Sequence, residues 1–465
     1  MAQAQTTEHV GLARVLGPAH IWALGVGIVL VGEYMGWNFS VGKGGAYAAL
    51  MACWFAGILY TCVAMIDSEV TSTVAAAGGQ YTQAKHIVGP LMAFNVGLYL
   101  VFAYTMLEAA NAITFGFLID TVATMSGHEA GSLDQRPFII LAIMFLAWLN
   151  YRGVLATLTF NLVITAIAFT AVIVLFLSTS GIFTDSPLRH TELMSGPAAM
   201  PYGWLGVLAA MHFGLWYYLG IEGTTQAAEE VRSPARSLPF GTLAGVMTLA
   251  IAATLTWYVC SGLMPWEYLG QAGVPLFDAA RLSGSTFLMV FLGIGTMFAT
   301  LASANGCIND ASRAWFAMGR DRYLPGWFGA VHPRYRTPYR AIIFLVPIAL
   351  IFALGAPIDQ VITFSILSGL LEYTFMPLNI ILFRRKWPLE SINRGYEHPF
   401  HPLPAYVLLG LCGMTFFAVF LGYGTQLVAM IAFYIVVSLW FHFWRYRFVN
   451  RGAQFTMPWP KPRGY

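Results

Sequence analysis

Charge is what this sequence has least of: Lys, Arg, Asp and Glu together make up 10% of 465 residues, against about 25% in ordinary soluble domains. Hydrophobic residues make up 58%, so water cannot be the main solvent, and the chain reads as an integral membrane protein. The net charge of +3 is small and dispersed, which excludes a nucleic-acid surface. Only five cysteines occur, Cys53, Cys62, Cys260, Cys307 and Cys412. Their spacing is neither paired nor that of metal ligands, so buried thiols are expected and no disulfide framework. There is no H-E-x-x-H, no Walker loop and no Cys/His cluster, and Gly25, Gly27 and Gly32 lie in an apolar helix without the strand a dinucleotide fold needs. No metal and no cofactor are expected. A membrane enzyme would require a nucleophile–base pair, yet only His212 of the ten histidines lies well inside an apolar run. A sensor of amines would usually carry a signalling domain, and only short tails flank the apolar region.

What is present is a series of apolar runs of about 20 residues, the length that crosses hydrocarbon. Twelve are expected, at 20–42, 44–66, 90–122, 137–150, 155–180, 202–225, 238–262, 286–313, 340–356, 358–382, 404–423 and 426–444. The first leads into Gly32-Glu33 instead of a small-residue cleavage site and reads as an uncleaved span. Alternating the sides of these spans leaves Lys43, Arg136, Arg189 and Arg281 on one side and the other twenty of the 24 basic residues on the side of the N-terminus. By the positive-inside rule both tails, 1–19 and 445–465, are cytoplasmic. The expected setting is a cell membrane, that of a bacterial inner membrane, with the lipid bilayer as partner.

Two spans are interrupted. LGVGIVLVGEYMGWN, Leu24 to Asn38, breaks at Gly32 through Gly36 around Glu33; HFGLWYYLGIEGTTQAAEE is loosened by Gly214, Gly220 and Gly223 around Glu222. The breaks lie five spans apart, the pattern of an inverted-repeat transporter whose substrate binds at the midplane. The repeats are then 20–180 and 202–382, with 404–444 added. Glycine also packs membrane helices without binding anything. An intramembrane carboxylate, however, costs at least about 2.5–3.5 kcal/mol and needs a partner or a task.

Several segments resemble a known superfamily, the amino acid–polyamine–organocation permeases. FGLWYYLGIEGTTQAAEEVRSPARSLP, Phe213 to Pro239, is similar to its sixth-span signature. NGCINDASRAWFAMGRDRYLP, Asn305 to Pro325, resembles its eighth span and following loop, and Ala77-Gly78-Gly79-Gln80-Tyr81 its A-G-G-x-Y. GEYMGWNFSVGKGG and LWYYLGIEG look most like the ethanolamine permeases. The resemblance implies an all-α membrane fold of twelve helices, a leucine-transporter-like five-plus-five inverted repeat with two further helices, working by alternating access. One departure stands out: the fifth span, ATLTFNLVITAIAFTAVIVLFLS, lacks the lysine that many proton-coupled members carry. Glu108 also falls later than the superfamily's third-span acid, which aligns near Ala103.

Four acids, Glu33, Glu108, Glu222 and Glu372, are expected at depth with no lysine or arginine beside them. Surplus carboxylate suits a small cationic or zwitterionic amine, and aromatic walls add about 0.5–2 kcal/mol per ring to the binding of a cation. The candidate substrate site is therefore Gly32, Glu33, Gly36, Glu108, Phe213, Trp216, Tyr217, Gly220 and Glu222. Glu229, Glu230, Arg313 and Arg320 are candidate gating residues, by ion pairing on the cytoplasmic side. Thr300, Ser303 and Glu372 are candidates for coupling to sodium or protons. The reading is a secondary transporter importing ethanolamine or a close relative, by symport. Its alternatives are a permease or exchanger for small neutral amino acids and, from another class, a sensor or membrane enzyme. The oligomeric state is not written in the sequence.

Overall fold

The computed structural model describes residues 12–125, 127–129, 131–181, 199–392 and 394–449. Most of the N-terminal tail, Arg189, and Arg451, Lys461 and Arg463 of the C-terminal tail lie outside the described residues, so the charge count on those positions is not addressed by it.

Among the described residues the chain is helical, with no strand and one isolated bridge between Leu16 and Val231. The first apolar run is divided into α1 (Pro18–Val29), α2 (Val31–Met35) and α3 (Trp37–Gly44). Then follow α4 (Ala46–Thr73), the short α5 (Gly79–Ile87), α6 (Pro90–Met125), α7 (Arg136–Arg152) and α8 (Val154–Thr179). The sixth run is helical only over α9 (Gly203–Gly214). Beyond it come α10 (Pro234–Leu263), the short α11 (Trp266–Leu269) and α12 (Pro275–Leu282), α13 (Thr286–Arg320), α14 (Tyr339–Gly355), α15 (Ile358–Lys386) and α16 (Leu403–Phe443).

Local chemistry explains several boundaries. Proline occupies the first turn of α1, α7, α10, α12 and α16, where its missing N–H costs nothing. The Ser285 hydroxyl accepts from the Leu288 N–H and starts α13, and Arg384, Arg385 and Lys386 close α15, where positive charge complements the helix dipole. At 1.5 Å per residue the 41 residues of α16 span roughly 60 Å, twice the hydrocarbon thickness. The helix is bent at Tyr423 (φ −138°, ψ 35°), at the place where the sequence ends one run and begins the next. Nine segments among the described residues are long and apolar enough to cross a membrane, and Tyr339–Gly355 is a shorter apolar helix.

α1 lies against α8, α10 and α13, and α6 runs along α13 and α15, so the interrupted first helix sits inside the bundle while α16 covers its outside along α15, α4 and α9. The bundle has two ends. The N-terminal end gathers the start of α1, the finish of α4, α13 and α15, and α5. The opposite end gathers the α3–α4 turn, α11, α12 and the finish of α6.

One expectation needs correction. The first run is not unwound from Gly32 to Gly36: that stretch forms the turn α2, with near-helical backbone at Leu30 (φ −55°, ψ −23°) and Gly36 (φ −91°, ψ −18°). The Gly36 N–H reaches the Gly32 carbonyl at 2.8 Å, so the backbone stays hydrogen-bonded across the turn. The sixth run departs from α-helix far more. After Gly214 it tightens to 3₁₀ turns at Leu215–Tyr217, Ile221–Thr225 and Ala228–Glu230, and Gly220 takes φ +108°, which side-chain-bearing residues avoid.

Candidate functional site

The two interrupted segments touch at glycine. A Cβ on Gly32 would stand 2.6 Å from the Trp216 carbonyl oxygen, so only glycine allows the backbones this close. Gly36, one turn on, faces the rings of Tyr217 and Trp216. Gly220 is pressed against Ile28 of α1, whose side chain a Cβ there would meet at 2.4 Å.

Around this crossing the expected acids separate into different surroundings. Glu33, on α2, is buried; its Oε2 lies 3.5 Å from the Thr256 hydroxyl of α10, and its Oε1 has no protein partner. That hydroxyl also reaches its own helix at the Ala252 carbonyl, 2.9 Å away, and accepts from Trp37 Nε1. Glu33 is therefore weakly held. Glu108 on α6 is buried with neither oxygen partnered, and Glu372 on α15 is the same. Glu222 is the opposite case: its Oε1 accepts from the Tyr373 hydroxyl at 2.8 Å and the Tyr104 hydroxyl at 3.3 Å, and its Oε2 from the Gly220 N–H at 3.2 Å. Tyr60 donates in turn to Tyr373. Three donors tie Glu222 to α6, α15 and its own turn, while Glu372 sits within electrostatic reach of Glu222 and Asp67.

Four acids at depth was an undercount. Asp67, Glu69 and Asp310 are buried as well. Asp67 accepts from Gln80 and Gln83, each at 2.6 Å, and from Thr71 at 3.1 Å. The Asp310 carboxylate presses on Gly223 of the sixth segment and accepts from Asn309 at 2.8 Å. Asp67 and Glu69 lie just past Ile66, where the apolar run stops. Asp310 stands three positions before Arg313 inside the quoted NGCINDASR, a signal the sequence did carry.

The rings divide similarly. Tyr217 stacks on Trp37 with centroids 4.3 Å apart, and its hydroxyl meets Ser40 at 2.5 Å. Phe213 stacks on Phe39 at 5.0 Å and lies under Lys43 beside Tyr423. Trp216 alone of the three lines a cavity of about 280 Å³ at the opposite end, together with Met35, Asn38 and Phe39. His212 is buried, 3.2 Å from the Thr363 hydroxyl.

At the N-terminal end the expected charge partners meet. Arg313 Nε is 2.5 Å from Glu230 Oε2 and its Nη2 is 3.0 Å from Oε1, a two-pronged pair that is almost fully buried. Arg320 lies 3.1 Å from Glu229, which also accepts from the Ala77 N–H. Not foreseen are Lys85 with Asp321 at 2.8 Å, and Glu69 held by Arg384 at 2.6 Å and by Arg394. Of the hydroxyls considered for an ion, Thr300 donates to the Thr296 carbonyl of its own helix at 2.7 Å. Ser303 donates across to the Ile28 carbonyl near the end of α1 and accepts from Asn111 at 2.6 Å.

A buried carboxyl group with no donor needs a proton or a cation, and one oxygen of Glu33 and both of Glu108 and Glu372 are of this kind. Comparison with known proteins addresses the family. The chain is 77% identical over 462 residues to an uncharacterized transporter of Rhizobium meliloti (strain 1021), covering 99% of this chain and 98% of that one. It is 25% identical over 414 residues to a methylthioribose transporter of Bacillus subtilis (strain 168), covering 86% and 87%. A branched-chain amino acid permease of the same organism is 22% identical over 414 residues, covering 86% and 84%. The family model for amino acid permeases matches residues 20–456, and the chain belongs to that family of membrane transporters.

Proposed function

We propose that this permease is a secondary transporter importing a small organic amine, ethanolamine or a close relative, by alternating access. In this reading twelve spans, with both tails cytoplasmic in a bacterial inner membrane, form repeats 20–180 and 202–382, and 404–444 is added outside them. The observation that carries the amine is that Glu33 and Glu108 are both buried, with one carboxyl oxygen of Glu33 and both of Glu108 lacking a protein partner and no basic neighbour described for either. Glu33 is the first choice for the ammonium because α2 abuts the Trp216 backbone. Glu222, already saturated by Tyr104, Tyr373 and Gly220, holds the sixth segment in shape. Glu372, without a donor, is the proton carrier, and the ion pairs of Arg313 and Arg320 form the cytoplasmic gate.

The second reading, a small neutral amino acid, draws on the branched-chain permease among the relatives. There the amino group would use the same acids and the carboxylate the amides of the interrupted helices. Uptake of labelled ethanolamine and alanine into proteoliposomes, under imposed proton or sodium gradients, decides between them. Gradient-driven ethanolamine uptake supports the first reading; alanine uptake without ethanolamine uptake replaces it with the second.

A further inference from the structure

The cavity at the opposite end has a polar wall. Its wall contains Asp120 and Thr121 from the finish of α6, Asn38 and Phe39 from α3, Trp216 from the sixth segment, and Val274 at the start of α12. Three polar atoms on this wall have no protein partner: Asp120 Oδ1, Asn38 Oδ1 and Trp216 Nε1. Two of them are acceptors, and one belongs to a carboxylate. The other Asp120 oxygen accepts from the Gly131 N–H at 3.2 Å, which fixes the group at the rim and leaves Oδ1 for a guest. Phe39 and Trp216, centroids 5.8 Å apart and tilted by 53°, offer π faces beside these oxygens. Carboxylate, amide oxygen and two rings are what a small ammonium ion selects from water. An anion would meet the wrong charge, and a neutral polyol would gain little from the rings. Lys43, the nearby base on α3, lies over the rings of Phe213 and Tyr423 and interacts with Asp359, so its charge is engaged outside this wall.

We propose that this chamber is an outer binding site for a small organic ammonium ion, held by Asp120 and Asn38 against Phe39 and Trp216, before the guest reaches Glu33. The assignment rests on the amine reading for its physiological guest, but the chamber's preference for cations does not.

The test uses a Thr121→Cys reporter in the otherwise native protein, whose own five cysteines are buried. Its modification by a small thiol reagent is followed in the presence of methylammonium or, as an uncharged control, ethylene glycol. A Glu33→Gln, Glu108→Gln background removes protection arising from occupation of the inner site. In that background methylammonium should still protect Cys at 121 and ethylene glycol should not. Adding Asp120→Asn, which keeps an acceptor for Gly131, should raise the concentration for half-protection by about tenfold, and Asp120→Glu should recover most of it. Equal protection by both probes, or a half-protection concentration unchanged by Asp120→Asn, overturns the site. Ethanolamine uptake failing while methylammonium protection persists refutes the amine transport reading and leaves the chamber standing; uptake without protection does the reverse.

Discussion

The two ends of the bundle are held together by different chemistry. At the N-terminal end, segments far apart in sequence are joined by ion pairs: Glu230 with Arg313, Glu229 with Arg320, Asp321 with Lys85, and Glu69 with Arg384 and Arg394. At the opposite end the described ion pair lies within one short helix, Asp278 with Arg281 at 3.4 Å, its arginine 53% exposed. Contacts there are made by rings, such as Phe39 on Phe213, and by Trp257 Nε1 donating to the Ala46 carbonyl. Removing one partner of a buried ion pair strands the other charge away from water, whereas water that enters can hydrate both, so such a pair resists loss of a partner more than it resists wetting. Stacked rings yield gradually. The difference sets an end joined by buried charge between distant segments against one packed by rings.

The largest expected effect is at the N-terminal end. Arg313→Gln leaves Glu230 buried without its charge partner, a loss of about 3–5 kcal/mol for a pair of this kind. If the pair is a gate, turnover in a transport assay falls more than binding, and cysteines placed near Asn309 become accessible from the N-terminal side. Equal losses of rate and affinity would mean that Arg313 only supports the fold.

Next in size is the crossing between the ends. Glu33→Gln retains shape while removing charge, so amine affinity should drop by the 1.5–3 kcal/mol of a charged hydrogen bond, about tenfold or more. Binding titration against Glu108→Gln separates the two acids. Unchanged ethanolamine affinity in both variants would rule out a carboxylate–ammonium contact and shift the cation onto carbonyls and the Trp216 ring.

A further effect should follow pH. His398, in the segment between α15 and α16, has its ring pushed down to about 4, first by burial and then by Arg384, with Glu69 opposing. The folded protein therefore binds this proton less readily than the unfolded chain, whose histidine titrates near 6.5. The contribution is complete above 6.5 and is lost as pH falls from there toward 4. Thermal unfolding followed from pH 7 to pH 4 should show a steeper decline in the native protein than in His398→Gln, and parallel curves would rule this histidine out.

The smallest effect belongs to the hollow end. Arg281→Gln breaks an exposed pair spaced i,i+3 and should change stability by less than about 0.5 kcal/mol. A loss comparable to that of Arg313→Gln would abolish the distinction between the ends.

Legibility in the sequence follows the same divide. Apolar runs announce helices wherever lipid or core sets the composition, and α7, α8, α14 and the bend of α16 fall close to the expected ranges. Two ends misread by a turn or more lie where charge is buried by a distant partner. The run beginning at Thr286 was expected to stop at Arg313 but continues to Arg320, because Glu230 cancels the charge of Arg313 inside the bundle. α4 likewise passes Ile66 to Thr73, since Asp67 is held by Gln80 and Gln83 and Glu69 by Arg384 and Arg394. No local pattern marks such partners. Glycine was ambiguous for a related reason: Gly220 bends its chain, whereas Gly32 clears space for a neighbour without unwinding its own helix. The cavity of Asp120 and Asn38 was missed because both are ordinary polar residues near helix ends until the fold brings Trp216 to the same wall.

The bridge between Leu16 and Val231 has a mechanical meaning. The Val15 and Leu16 N–H groups both donate to the Glu230 carbonyl, and the Arg232 N–H returns to the Leu16 carbonyl. The entry to the first interrupted helix and the exit from the second are thus stitched together one residue from the Arg313 pair. Were Glu230 parted from Arg313, its backbone would still hold Leu16, so the two segments are tied to each other independently of that ion pair.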